Sequence, residues 1–256
     1  MSAQPIIVAG NWKMHKSISD ARQWASLFLD GFQSSGNLEI IVFPPYTALH
    51  AFRDVFRGQG LSVGGQNLHH APEGAFTGEI SGAMVRDCGA DWVLIGHSER
   101  RQYQQENEPL LAAKIRSALD SGLRPVYCVG ESLEEREDGS YPEKIARQLV
   151  AGIPPLSPEE WARMVIAYEP VWAIGTGLTA TVSDAAAMHR HIREVLVSEH
   201  PSIPFDVLPI LYGGSVKPEN AAELFSREEI NGVLVGGASL DPLSFRAIAE
   251  EAQRRR

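Results

Sequence analysis

Eight short runs of apolar, mostly β-branched residues recur along the chain, and their spacing limits what it can fold into. They are Ile6-Ile7-Val8-Ala9, Glu39-Ile40-Ile41-Val42-Phe43, Leu61-Ser62-Val63-Gly64, Asp91-Trp92-Val93-Leu94-Ile95, Pro125-Val126-Tyr127-Cys128-Val129, Met164-Val165-Ile166-Ala167-Tyr168, Val207-Leu208-Pro209-Ile210-Leu211 and Gly232-Val233-Leu234-Val235. Each reads as a buried strand. Their starts lie near the roughly 30-residue interval of a strand–helix–strand unit. Amphipathic stretches fill the gaps. Residues 19–32 put Ala21, Trp24, Ala25, Phe28 and Leu29 on one stripe, and residues 108–119 do the same with Leu111, Ile115, Ala118 and Leu119. Residues 183–197 read as a helix capped by Ser183, with Ala187, Met188, Ile192, Val195 and Leu196 inward. Asp241 caps a last helix with Pro242 at its first position.

Eight strand–helix pairs in 256 residues fit one (β/α)8 barrel domain over 1–256. A doubly wound parallel sheet is the competitor, and strand count alone does not separate them. The first strand runs into Gly10-Asn11-Trp12-Lys13 rather than a Gly-x-Gly-x-x-Gly turn, which argues against the nucleotide-binding version of that sheet. The composition, 44% hydrophobic and 21% charged, excludes a disordered chain. A net charge of −9 lacks the footprint of a nucleic-acid binder, and Arg254-Arg255-Arg256 is a lone basic cluster. No apolar stretch approaches the 18 or so residues of a membrane span, and residues 1–10 lack a signal-peptide core. Cys88 and Cys128 belong to no zinc-spaced group, so the expected location is the cytoplasm. His69-His70 and His189-x-His191 are weak metal candidates, because residues two apart on a helix face different ways.

In a barrel, reactive groups sit just after the strands' C-terminal ends. Those positions hold Asn11 and Lys13, Gln66 and Asn67, His97 and Glu99, Cys128 and Glu131, Glu169, Gly213-Gly214-Ser215, and Gly236-Gly237-Ala238-Ser239. Glu169 follows an apolar run and is either a desolvated general base or a solvated strand-end carboxylate. His97 stands at the start of a helix for which Ser98 is a candidate cap. That position disfavours imidazolium, so His97 is either a neutral hydrogen-bond donor or a loop-bonding residue. Lys13 suits an anionic substrate or simply reaches water. The glycine pairs either nest an anion on their N–H groups or only permit sharp turns. Ala173-Ile174-Gly175-Thr176-Gly177 is a lid or a packed loop. A base, a neutral acid, a cation and phosphate nests together suit proton transfer on a small phosphorylated carbonyl compound.

Seven ordered segments resemble the triosephosphate isomerase family from end to end. They are Ala9-Gly10-Asn11-Trp12-Lys13-Met14, Gln66-Asn67 with Gly74-Ala75-Phe76-Thr77-Gly78-Glu79, Gly96-His97-Ser98-Glu99-Arg100-Arg101, Cys128-Val129-Gly130-Glu131, residues 167–177 around Glu169, Tyr212-Gly213-Gly214-Ser215-Val216, and Leu234-Val235-Gly236-Gly237-Ala238-Ser239. The resemblance implies a single-domain (β/α)8 TIM barrel that interconverts dihydroxyacetone phosphate and D-glyceraldehyde 3-phosphate in glycolysis and gluconeogenesis. It implies Glu169 as base, His97 as proton shuttle, and Lys13 and Asn11 as stabilisers of the enediolate. Gly175, Ser215, Gly236 and Gly237 would hold phosphate, with Glu99 and Cys128 in support. The lid would run through Pro170, Val171, Trp172, Ala173, Ile174, Gly175, Thr176, Gly177, Leu178, Thr179 and Ala180, with Trp172 bonded to Glu131 when open. Leu178 departs from the lysine the family commonly carries at that hinge. The resemblance further implies a cytosolic homodimer joined around Thr77, and no cofactor, metal, nucleic acid or membrane. A related isomerase of a tetrose phosphate and a non-catalytic scaffold descendant are the alternatives.

Overall fold

The computed structural model describes residues 5–34, 36–56, 58–173, 180–201, 203 and 208–255. Eight parallel strands appear in chain order: β1 (Ile6–Asn11), β2 (Leu38–Phe43), β3 (Leu61–Gly65), β4 (Trp92–Ile95), β5 (Arg124–Val129), β6 (Val165–Tyr168), β7 (Ile210–Tyr212) and β8 (Gly232–Val235). Each pairs with the next, and β8 returns to β1, with Ile7 opposite Gly232 and Gly10 opposite Val235. This closure excludes the doubly wound alternative, whose sheet keeps two open edges. The seventh expected run begins late, at Ile210, and its Val207 lies outside the described residues.

Around the barrel stand α1 (Ile18–Leu29), α2 (Tyr46–Phe56), α3 (Gly82–Asp87), α4 (Ser98–Tyr103), α5 (Glu108–Asp120), α6 (Leu133–Glu137), α7 (Tyr141–Gly152), α8 (Pro158–Trp161), α9 (Val182–Glu199), α10 (Pro218–Phe225) and α11 (Pro242–Arg254). None of the described helices is long and apolar enough to cross a membrane.

The strand runs read as continuously apolar because both of their faces are covered. One parity fills the barrel: Ile7, Ala9, Ile41, Phe43, Trp92, Leu94, Val126, Cys128, Val165, Ala167, Leu211 and Leu234 form a closed inner cluster. The other parity, including Val8, Val42, Ile95, Ile166 and Val233, packs outward on the helices. Gly64 has no room for a side chain, since a Cβ there would lie 2.3 Å from the Phe43 ring and 2.9 Å from Trp92 Cβ. Two bulky inner residues therefore require a third position to be empty. At the far end Arg124 lies 3.8 Å over the Trp92 ring and pairs with Glu39 at 3.2 Å.

Helix α1 buries Ala21, Trp24, Ala25 and Phe28 as its stripe requires, with Leu29 half-buried. Trp24 stacks on Phe28 at 5.0 Å and meets Trp12 edge-on at 5.1 Å. Helix α5 buries the four expected apolar residues and one charge besides. Lys114 Nζ sits 2.7 Å from Asn67 Oδ1 and 2.6 Å from Glu106 Oε1, which also accepts from Arg100 Nε at 2.7 Å. Apolar periodicity carries no trace of such a pair.

Helix α9 corrects two expectations. Its cap is Thr181, not Ser183: Thr181 Oγ1 accepts from the Asp184 N–H at 3.1 Å, and Asp184 Oδ2 accepts from the Thr181 N–H at 3.2 Å. The reciprocal box fixes the start two residues earlier. Ala187 is exposed, and His189 is fully buried in the inward stripe. The His189 Nδ1–H donates to the Glu229 carbonyl at 3.1 Å. Burial pushes its pKa down from 6.5 to about 4.

Because His189 is neutral in the fold and protonates more readily when unfolded, its contribution is complete above pH 6.5 and fades as pH falls toward 4. That fading amounts to about 3 kcal/mol. Urea unfolding at fixed protein concentration should therefore show falling stability between pH 6.5 and 4. The fall should shrink in His189→Gln, although that variant is weaker at pH 7. An equal fall in both proteins would refute the assignment.

Candidate active site

The C-terminal strand ends surround one cavity of about 510 Å³. Asn11, Lys13, His97, Glu169, Ser215, Gly236 and Gly237 all line it. Glu99 stands beside it on Lys13, and Cys128 lies inside the barrel below Glu169. Thr77 is exposed on the segment 66–79 and is not part of the lining. Of the expected lid, Pro170, Val171, Trp172, Ala173 and Ala180 are described; Ile174, Gly175, Thr176, Gly177, Leu178 and Thr179 lie outside the described residues. Trp172 Nε1 donates to Glu131 Oε1 at 2.8 Å, the contact the resemblance implies, and Tyr168 donates to the same oxygen at 2.9 Å.

Lys13 follows β1 in a left-handed conformation, with φ of 52°. A non-glycine residue there carries about 1–3 kcal/mol of strain unless its surroundings fix it. Asn11 Oδ1 accepts from the Lys13 N–H at 3.0 Å. Gln66 Nε2 donates to the Lys13 carbonyl at 2.8 Å and to that of Phe43 at 2.9 Å. The turn aims Lys13 across the rim, where Nζ donates to Glu99 Oε1 at 2.7 Å. Gln66 thus serves the site through the backbone, a role that its place after β3 only hinted at.

Gly96 turns the chain out of β4 with φ of 73°, which places His97 at the head of α4. The cap is His97 itself, not Ser98: Nδ1 accepts from the Glu99 N–H at 3.3 Å. The Ser98 main-chain N–H is thereby free to donate to Glu169 Oε2 at 3.0 Å. With Nδ1 an acceptor, the ring proton lies on Nε2, and Nε2 is 3.0 Å from Glu169 Oε1. Both side chains are buried.

Burial presses the His97 pKa down, but the facing Glu169 carboxylate, helped by Glu99, raises it overall. For Glu169, burial presses the pKa up, and His97, the Ser98 N–H and Lys13 more than offset this and lower it. The helix end and the facing carboxylate thus act on the His97 pKa in opposite senses, and the neutral Nε2–H tautomer fits both ring contacts. Helix α4 has six residues and a small dipole, whereas Glu169 brings a whole charge to contact. Beneath the pair, burial pushes the Cys128 thiol well above its ordinary range, and Glu169 adds to the shift.

The glycines divide by function. Gly213 is required by close approach, since a Cβ would fall 2.9 Å from Glu169 Cγ. Gly237 meets no atom within 4 Å, and Gly236 meets only Lys13 Cε at 3.9 Å. Neither has a positive φ. Protein sterics therefore do not demand glycine at 236 and 237; what glycine leaves there is bare backbone facing the cavity. The Trp12 and Trp24 indoles fix this loop by donating to the Ser239 carbonyl at 3.1 and 3.0 Å. Ser239 Oγ in turn donates to the Gly236 carbonyl at 2.7 Å. Sequence reasoning placed Trp24 in the core only; the signal available was that a buried indole N–H needs an acceptor.

A family model described as triosephosphate isomerase matches residues 6–252. The triosephosphate isomerase of Symbiobacterium thermophilum is 47% identical over 98% of this chain and 98% of its own. That of Solibacter usitatus is 48% identical over 94% of this chain and 97% of its own. The crystal structure of triosephosphate isomerase from Bartonella henselae superposes with a TM-score of 0.85 at 36% identity, covering 98% of this chain and 100% of that one.

The coupling between His97 and Glu169 can be read directly. In Glu169→Gln the charge that raises the imidazole is gone, while burial and Lys13 still oppose protonation. The His97 ring should then titrate at lower pH than in the unliganded wild type. NMR of the ring nitrogens that finds the same or a higher midpoint would contradict this account.

Proposed function

The chain belongs to the triosephosphate isomerase family, and from that premise we propose how its rim divides the work. The reaction is the interconversion of dihydroxyacetone phosphate and D-glyceraldehyde 3-phosphate through an enediolate. The observation that carries the assignment of roles is the 3.0 Å contact between His97 Nε2 and Glu169 Oε1 on the wall of a cavity that also holds Lys13 and bare glycine backbone.

Glu169 takes the proton from the carbon beside the carbonyl and returns it to the neighbouring carbon. His97 donates Nε2–H to the carbonyl oxygen and carries protons between the two oxygens. Substrate entering between these groups separates them and leaves the Nε2–H facing the substrate oxygens. Lys13 and Asn11 stabilise the enediolate and phosphate charge. Ser215, Gly236, Gly237 and Gly175 hold the phosphate, with Glu99 and Cys128 in support. Residues 170–180 act as the lid. Glu169→Gln should lower kcat by about 10² to 10⁴ with modest change in KM, measured on triose and tetrose phosphates side by side. Triose activity within tenfold of wild type would remove Glu169 from this role.

We place the enzyme in the cytosol, in glycolysis and gluconeogenesis, acting without nucleic acid or membrane as a homodimer of single-domain chains, residues 1–256. Support for the dimer comes from exposed apolar groups at the expected interface. Met14 is 94% exposed next to Lys13, and Phe76 is half-exposed beside Thr77. Thr77→Arg should yield monomers with greatly reduced activity; light scattering that still finds a fully active dimer would exclude this interface.

Excising residues 174–177 should remove most activity and release methylglyoxal, because the enediolate phosphate would no longer be shielded from elimination. A deletion that isomerises like the wild type without methylglyoxal would reduce the segment to a surface loop.

A further inference from the structure

Glu169 is aimed by its own main chain, and that main chain rests on Gly130. The Glu169 N–H donates to the Val129 carbonyl at 2.8 Å. A Cβ on Gly130 would lie 1.8 Å from the Glu169 carbonyl oxygen and 2.8 Å from its carbon. The two backbones are thus in direct contact. Gly130 lies one residue past the β5–β6 pairing, which ends at Val129 opposite Tyr168. Its peptide groups need partners from outside the sheet.

One side chain supplies both. Gln148 Oε1 accepts from the Gly130 N–H at 2.8 Å, and Gln148 Nε2 donates to the Gly130 carbonyl at 3.1 Å. Gln148 is 1% exposed on α7, outside the barrel and absent from the cavity lining. Its own carbonyl accepts from Tyr127 at 2.8 Å, and Tyr127 accepts from Arg101 Nη2 at 3.0 Å. Arg101 Nε then donates to the carbonyl of Gly96, the residue before His97, at 2.9 Å. One hydrogen-bonded frame therefore reaches from the support of Glu169 to the support of His97.

We propose that Gln148 is a positioning residue that sets Glu169 relative to His97 by clamping both backbone groups of Gly130. The inference rests on Glu169 being the base. Phosphate-holding backbone at 236 and 237 lies on another side of the cavity and is not in this frame. Loss of the clamp therefore lowers kcat and leaves KM nearly unchanged, as expected when a base is displaced by fractions of an ångström.

The test compares wild type, Gln148→Met, Gln148→Glu and Glu169→Gln as purified full chains in the isomerase assay, with folding verified by circular dichroism. Methionine keeps the volume and removes both bonds, so kcat should fall about 10- to 100-fold with KM within about threefold. A protonated glutamic acid accepts and donates as the amide does; a carboxylate only accepts and would face the Gly130 carbonyl. Gln148→Glu should therefore approach wild-type kcat at low pH and lose it on ionising, once the wild-type profile is divided out. A folded Gln148→Met with kcat within twofold of wild type overturns the proposal. So does a Gln148→Glu that is as impaired at low pH as at high pH. If Gln148→Met does not fold, Gln148→Glu decides alone: near-wild-type activity at low pH that falls on ionisation supports the clamp, and any other profile overturns it. Glu169→Gln separates the two readings. Activity retained there defeats the base itself; activity lost there with a normal Gln148→Met defeats only the clamp.

Discussion

The pairing of β8 with β1 is the constraint on which the remaining geometry depends. It is a tight seam: a Cβ at Gly232 would lie 2.1 Å from the Ile7 carbonyl oxygen. Closing the sheet there brings the end of β1, with Asn11 and Lys13, beside the end of β8, with Gly236 and Gly237. The chain's start and finish thus meet on one rim. An open sheet in the same strand order would leave the cation and the bare glycine backbone at opposite edges. It would also strand Trp12 and Trp24 far from the Ser239 carbonyl that accepts from both.

The charges on the rim pair with one another. Lys13 is paired with Glu99, and His97 with Glu169. Neither pair is an inert surface bridge, because both line or border the cavity. The left-handed Lys13 backbone is held by Asn11 and Gln66, on atoms separate from the Nζ that meets Glu99.

Much of this was legible in the sequence. The apolar strand runs and regular helical spacing pointed to a barrel and left a doubly wound sheet open, which only the β8–β1 pairing excludes. Strand-end positions gave Asn11, Lys13, His97 and Glu169 before any resemblance was invoked, and the structure brings all four to one cavity. What stayed hidden was set by contacts distant in sequence. The caps of α4 and α9 are His97 and Thr181 rather than the serines one and two residues on, because the backbone path decides which side chain reaches the helix N–H groups. Lys114 and His189 are buried in stripes that polarity rules assign to solvent, because loop residues Glu106 and Glu229 receive them. The raised His97 pKa depends on a carboxylate 72 positions away in the chain. Gln66 and Gln148 act on main-chain atoms, which leave no signature in residue type.

The two indoles at the Ser239 carbonyl have a consequence for how this sequence can drift. Their acceptor is a main-chain oxygen, so exchanging the side chain at 239 leaves that half of the interaction in place. The donors are side chains, and among the common residues none but tryptophan combines that ring volume with an N–H at that reach. Tolerance to substitution is therefore lopsided: permissive for this contact at the loop that lines the cavity, restrictive at positions 12 and 24, which do not line it. A lineage could remodel what the loop binds while these two core positions stayed unchanged, and a comparison of variants would find the constraint displaced from the place where the chemistry happens.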